Sequence, residues 1–307
     1  MTKVFIDGSA GTTGLRIVER LESRDDLELL ILPGELRKDP AARADALASA
    51  EIAFLCLPDD AARESAGLAS GSKVKIIDTS TAHRTDPAWV YGMPELKGQH
   101  QKIADSSRVA NPGCHASGFV ALVAPLVQEG ILPADTALRC FSLTGYSGGG
   151  KKMIAQYEAA DRNILLGAPR QYALTQSHKH LKEMVALCGL ENAPVFCPIV
   201  ADFYSGMEVT VPLFAKEIKG TLADIQAIYK AYYTSGLIHF EESADEDGLL
   251  SASAYADRDD MGVSVFGNED RILLVSRFDN LGKGASGAAI QNMNILLGLD
   301  EATGLSI

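Results

Sequence analysis

The sequence predicts an α/β protein in which a doubly wound parallel sheet is joined to a second domain of α+β type. Three observations carry that prediction. Short apolar runs alternate with amphipathic helical stretches up to Ser80, a glycine-rich turn joins the first run to the first helix, and longer strand-like segments follow Cys114. Continuous apolar strands separated by helices are what a parallel sheet covered on both faces requires.

In order, "KVFIDG" reads as a strand and Gly11 to Ser23 as a helix with Leu15, Val18 and Leu21 on one face. "LELLILP" is a second strand, Pro40 to Ala50 a helix, "EIAFLCLP" a third strand, Asp59 to Ser70 a helix, and "VKIIDTS" a fourth strand. Right-handed crossovers then favour the doubly wound arrangement. Beyond Cys114, "TALRCFSLTG", "PVFCPIVADF" and "GMEVTVPLFAKEI" read as strands of an antiparallel or mixed sheet without regular helices between them. A helix from Leu222 to Tyr233, the strand "RILLVSRFD" and a terminal apolar helix from Ala285 to Leu299 complete the chain. The terminal helix is expected to return to the first domain. The expected division is therefore 1–113 with 281–307 as nucleotide domain, and 114–280 as catalytic domain.

Size and composition narrow the function. A chain of 307 residues with 47% apolar and 22% charged residues is an ordinary globular protein. Its net charge of −12 argues against a nucleic-acid partner, which selects for a basic face. No segment has the length and apolarity of a membrane span, and the N-terminus leads directly into a strand rather than a secretory signal. Five widely spaced cysteines without a C-x-x-C pair fit a reducing, cytoplasmic setting and no structural metal. The acidic run "EESADEDG" reads as a solvated loop.

Gly8, Gly11 and Gly14 sit at the first strand–helix junction in G-x-x-G-x-x-G spacing, with Thr12 and Thr13 between them. Glycines allow the backbone to approach a pyrophosphate, and a helix N-terminus offers free N–H groups and positive potential. This predicts a Rossmann-like dinucleotide site. After the second strand come Glu35, Arg37 and Lys38; the two basic residues favour a ribose 2′-phosphate, hence NADP over NAD.

Asn111-Pro112-Gly113 breaks the chain just before Cys114, and apolar helical periodicity starts immediately after it. That puts Cys114 at a helix N-terminus, where the thiolate is favoured and backbone N–H groups can hold an oxyanion. Cys56, Cys140 and Cys197 lie in apolar strands and read as filler. The proton partner comes from "SHKHLKEM": His178 and His180 at a helix start, with Glu183 placed to orient His180. A metal on this pair is disfavoured because helical i,i+2 side chains diverge.

"GSAGTTG", "NPGCHASG", "GYSGGGK", "SHKHLKE" and "DNLGKGASGAAIQN" together resemble the N-acetyl-γ-glutamyl-phosphate reductase family in its shorter form, with aspartate-semialdehyde dehydrogenase as a more distant relative. The resemblance runs from Phe5 to Asn294. It implies an NADP-binding domain and an α+β domain carrying catalysis and dimer contacts, hence a homo-oligomer, dimer or tetramer. It implies Cys114 as nucleophile and His180 or His178 as acid/base. Asn280 and Gly284 would face the nicotinamide. Asn111, Arg84 and Lys151 would contact the acyl-phosphate substrate or inorganic phosphate. "DTSTAHR" departs from the longer members' D-x-S-A-D-F-R while retaining Arg84, and His115 stands where they carry an aromatic. The implied reaction is NADPH-dependent reduction of N-acetyl-γ-glutamyl phosphate through a cysteine thioester, in arginine biosynthesis. The alternatives are another acyl-phosphate reductase, acting on aspartyl or carrier-linked aminoadipyl phosphate, a non-catalytic NAD(P) or redox sensor, and a cysteine hydrolase or acyltransferase that would leave the glycine loop idle.

Overall fold

The computed structural model describes residues 1–234 and 236–307 and divides into two compact units. The first comprises 1–112 and 285–305. Its chain runs β1 (Thr2–Asp7), α1 (Thr12–Leu21), β2 (Leu27–Leu30), α2 (Pro40–Ser49), β3 (Ile52–Leu55), α3 (Asp59–Leu68), β4 (Lys75–Asp78), β5 (Val90–Tyr91), α4 (Gln99–Ala104) and β6 (Arg108–Ala110). The six strands form one sheet in the order β2-β1-β3-β4-β6-β5, and every pairing is parallel. Strands β1, β3 and β4 are apolar on both faces because both are covered: Val4, Ile6 and Phe54 pack on one side, Phe5, Leu55 and Ile76 on the other. Asp39 starts α2, its Oδ1 accepting the N–H groups of Ala41 and Ala42 at 2.8 and 3.1 Å with Pro40 at the first helical position. The last three elements, β5 to β6, have no expectation from sequence: two- and three-residue strands and a six-residue helix leave no periodicity to read.

The second unit comprises 113–284 with 306–307. It begins with α5 (Cys114–Gln128), followed by β7 (Arg139–Gly145), α6 (Gly150–Glu158), β8 (Arg170–Gln171), α7 (His180–Cys188), β9 (Val195–Ala201), β10 (Met207–Phe214), α8 (Leu222–Tyr232), β11 (Ile238–Phe240), β12 (Met261–Gly267) and β13 (Arg271–Phe278). The seven strands lie in the order β11-β12-β13-β10-β7-β9-β8. The sheet is mixed, as expected, but not helix-free between its strands. β7 and β9 pair in parallel, which demands a crossover, and α6 and α7 lie in it. β12 escapes the sequence reading because Gly262, Ser264 and Gly267 break its apolar run. Nor is "EESADEDG" a simply solvated loop: Ala244 is buried, its carbonyl accepts from Arg277 Nη2 at 2.6 Å, and Glu246 pairs with Arg277 at 3.2 Å.

The chain then returns to the first unit as α9 (Gly287–Leu297), entered through one π-helical turn over Gly282–Ser286. Ala289, Ile290, Met293 and Leu296 share the core of Val4, Ile17 and Ile52. No helix among the described residues is long and apolar enough to cross a membrane.

Candidate active site

The first unit carries the glycine turn. Gly8 has φ +85°, and a Cβ there would lie 2.3 Å from the Cys56 carbonyl oxygen. A Cβ on Gly14 would lie 2.5 Å from the Gly8 carbonyl oxygen, so the turn closes on itself too tightly for any side chain at either position. Gly11 is the N-cap of α1 and offers no side-chain acceptor, while Thr12 and Thr13 form the first turn. The Gly11 N–H donates to the Gly8 carbonyl at 3.0 Å; the N–H groups of Thr12, Thr13 and Gly14 remain for a ligand to satisfy, and the residues fit a dinucleotide pyrophosphate. Arg37 and Lys38 are exposed after β2; Arg37 Nε donates to the Leu32 carbonyl at 3.2 Å.

In the second unit Cys114 opens α5, with extended Gly113 as N-cap. Glu183 Oε1 accepts the Gly113 N–H at 2.8 Å, which ties the start of α5 to the first turn of α7. Gly284 presses on the thiol from the other side, since a Cβ there would sit 2.9 Å from Cys114 Cβ. The turn that delivers Gly284 is built on Asp279. Its Oδ1 accepts the N–H groups of Leu281 and Gly282 at 2.6 and 3.2 Å, and its Oδ2 accepts Ser205 Oγ–H and the Asp257 N–H at 3.0 and 2.6 Å. Cys114 is half-buried. By contrast burial pushes the Cys56 thiol up to about 12 and raises Cys140 and Cys188 too, leaving those sulfurs poor nucleophiles.

Three imidazoles meet beside the thiol helix. The rings of His178 and His180 are 4.8 Å apart, and His115 lies 5.8 and 5.5 Å from them. The expected divergence of the histidine pair does not occur, because α7 starts only at His180. His178 precedes it, and its Nδ1 accepts the His180 N–H at 3.3 Å. Burial first, then the charge of Lys179, lowers the His178 pKa below the ordinary imidazole value. His180 is buried in α7, one turn before Glu183. Among the described residues no group of three or more His, Cys, Asp or Glu side chains could hold a metal ion.

Other predicted residues have local partners. Asn111 is buried, donating from Nδ2 to the Ala285 carbonyl at 3.0 Å and accepting from Asn292 Nδ2 at 3.2 Å, so it braces α9. Arg84 donates to the carbonyls of Asn111 and Thr79 at 2.9 and 3.1 Å. Around it the departure from D-x-S-A-D-F-R is partly rebuilt: His83 Nδ1 lies 2.7 Å from Asp78 Oδ2 and its ring stacks on Trp89 at 4.1 Å. Asn280 is also buried; Oδ1 accepts the Gly206 N–H at 2.9 Å and Nδ2 donates to Ser147 Oγ at 3.0 Å, holding the turn before α6. Lys151 is exposed in the first turn of α6. The sequence reading missed Ser142 and Tyr172, whose hydroxyls each lie 2.6 Å from a ring nitrogen of His115, and Asp279, which holds the turn before Gly284. Only Asp279 left a trace, as the first residue of the "DNLGKG" segment.

Residues 33–104 match the semialdehyde dehydrogenase NAD-binding domain family, and 114–280 match the semialdehyde dehydrogenase dimerisation domain family. Aspartate semialdehyde dehydrogenase II of Vibrio cholerae superposes with a TM-score of 0.71 at 17% identity, over 97% of this chain and 98% of that one. The Candida albicans aspartate semialdehyde dehydrogenase, solved with NADP, gives 0.68 at 14% identity over 97% and 99%. Sequence relatives are far nearer: N-acetyl-gamma-glutamyl-phosphate reductase 2 of a Nostoc species is 46% identical over 99% of both chains. The reductase of Brucella ovis is 47% identical over 96% of this chain and 99% of its own. The chain belongs to the N-acetyl-γ-glutamyl-phosphate reductase family.

Proposed function

We propose that the protein reduces N-acetyl-γ-glutamyl phosphate to N-acetyl-L-glutamate 5-semialdehyde, with NADPH, through a thioester on Cys114, as a step of arginine biosynthesis in the cytoplasm. The observation that carries this is the setting of Cys114: first residue of a buried helix, half-buried, and wedged between the Glu183-bound Gly113 and the bare backbone of Gly284. The helix N-terminus favours the thiolate. That sulfur attacks the acyl carbon, the carbon–oxygen bond to phosphate breaks, and inorganic phosphate leaves. The backbone N–H groups of the first turn of α5 stabilise the oxyanion at each tetrahedral stage, a contribution of about 3 kcal/mol per donor. When bound, NADPH supplies the hydride that reduces the thioester carbon. Gly8, Gly11, Thr12, Thr13 and Gly14 would hold its pyrophosphate, and Arg37 and Lys38 its 2′-phosphate. His180 protonates the resulting oxyanion and takes that proton back as the carbon–sulfur bond breaks, with His178 as alternate. Lys151 and Arg84 are the candidate anion contacts of the second and first units.

The second unit also supports a homo-oligomer. On the sheet face turned away from α5, Phe141, Val195, Phe214 and Leu273 are exposed. A second copy of the chain is the partner that the match to a dimerisation domain favours.

Reverse turnover tests the reading. Absorbance at the nicotinamide band should rise steadily with N-acetylglutamate semialdehyde, NADP and phosphate, and without phosphate should stop after a single turnover per chain. Arg37→Ala/Lys38→Ala should weaken NADPH more than NADH. Faster turnover of aspartate semialdehyde, or phosphate-independent turnover, would replace the assignment.

A further inference from the structure

The chemistry above leaves unused the residue that directly follows the thiol. His115 is buried in the first turn of α5, yet both ring nitrogens are engaged. Nδ1 lies 2.6 Å from Ser142 Oγ on β7 and Nε2 lies 2.6 Å from the Tyr172 hydroxyl, just past β8. Phe196 of β9 packs edge-on against the ring at 5.4 Å, and His178 and His180 close the remaining side. Burial, with a smaller contribution from His178, pushes the imidazole down to about 3, so it is neutral wherever the protein works.

A neutral imidazole has one donor and one acceptor, so the bonds at its two ends are linked. Ser142 is fully buried, and the imidazole is the side chain its hydroxyl meets. A buried hydroxyl donates its hydrogen rather than leave it unpaired, and Nδ1 is there to accept it. His115 therefore carries its proton on Nε2 and donates it to the Tyr172 oxygen. The phenolic hydrogen of Tyr172 must then point away from His115. Tyr172 is half-buried and stays protonated, because burial and negative charge at Cys114 both raise its pKa.

We infer that Ser142, His115 and Tyr172 form a one-way hydrogen-bond relay that presents the Tyr172 hydroxyl, as a donor, to the Cys114 sulfur and to the oxyanion of the tetrahedral adduct which that sulfur forms with the acyl carbon. His115 is its positioning residue. The relay rests on the reading of Cys114 as the nucleophile but adds a side-chain donor to the backbone donors of α5.

The test is the pH dependence of Cys114 alkylation by iodoacetamide on the full chain, followed by peptide mass mapping, beside the kinetics of semialdehyde oxidation. Tyr172→Phe and His115→Phe should each raise the alkylation midpoint by the same amount, about half a pH unit or more. The double variant should go no further than either single. Turnover should fall roughly tenfold in both with KM nearly unchanged, and His115→Gln, whose amide can donate near the Nε2 position, should recover part of the loss. An unchanged midpoint in Tyr172→Phe, or additive shifts in the double variant, would overturn the relay. If His115→Phe does not fold, Tyr172→Phe and Ser142→Ala carry the same test. Alkylation needs no substrate: a shifted midpoint without turnover of any semialdehyde removes the proposed reaction and leaves the relay, whereas turnover with unmoved midpoints does the reverse.

Discussion

What separates Cys114 from the other cysteines is position rather than chemistry. It starts a helix and stays half-buried, whereas Cys140 and Cys188 are sealed in hydrocarbon. The Asn111-Pro112-Gly113 break announced that position, so the thiol was legible in the sequence. His115 was visible only as an unusual residue, because its partners Ser142 and Tyr172 lie 27 and 57 residues away in segments that read as ordinary strand and loop. Its neutrality has a cost at low pH. The folded state holds His115 unprotonated down to about 3, while the unfolded chain takes up a proton near the ordinary imidazole value of 6.5. The stability this residue allows is therefore fully present above about pH 6.5 and lost as pH falls toward 3, at up to about 1.4 kcal/mol per pH unit. Urea unfolding at pH 7 and pH 5 should show a smaller acid loss for His115→Phe than for the unaltered protein. Equal losses would place the acid sensitivity elsewhere.

At the scale of elements, two helix starts are joined. α5 and α7 meet where Glu183 takes the Gly113 N–H, so the carboxylate that the sequence reading assigned to His180 fixes the turn ahead of Cys114. The helix over "SHKHLKE" was legible, but its first residue was not. His178 gives its Nδ1 to the His180 amide and stays outside, and such a local side-chain cap has no periodic signature. Glu183→Ala should destabilise the protein by about 1–3 kcal/mol, since a buried N–H loses a charged acceptor. Glu183→Gln, which keeps an acceptor oxygen, should retain most of that stability. Thermal unfolding distinguishes the two, and equal losses would remove the cap from the account.

For the whole molecule, the division into two units follows from the chain's path. The first unit is completed by α9, arriving from the far end of the sequence, and its alternating parallel pattern was legible from β1 to β4, where helices join apolar strands, but not beyond, where no helix joins β4 to β5. The mixed sheet was harder to read: β7 and β9 pair across an intervening helical crossover, and β8 and β11 are two and three residues long. Its apolar outer face predicts a homo-oligomer that Phe141→Glu should dissociate, read as a drop in mass by sedimentation. An unchanged mass would move the interface off that face.

The central claim is the covalent one, and trapping the acyl group tests it most directly. Incubation with N-acetylglutamate semialdehyde and NADP in the absence of phosphate should form one equivalent of NADPH per chain. Peptide mass mapping should then find an N-acetylglutamyl thioester on Cys114, discharged on adding phosphate. Formation of NADPH with Cys114 unmodified, or the same yield from Cys114→Ser, would contradict the account.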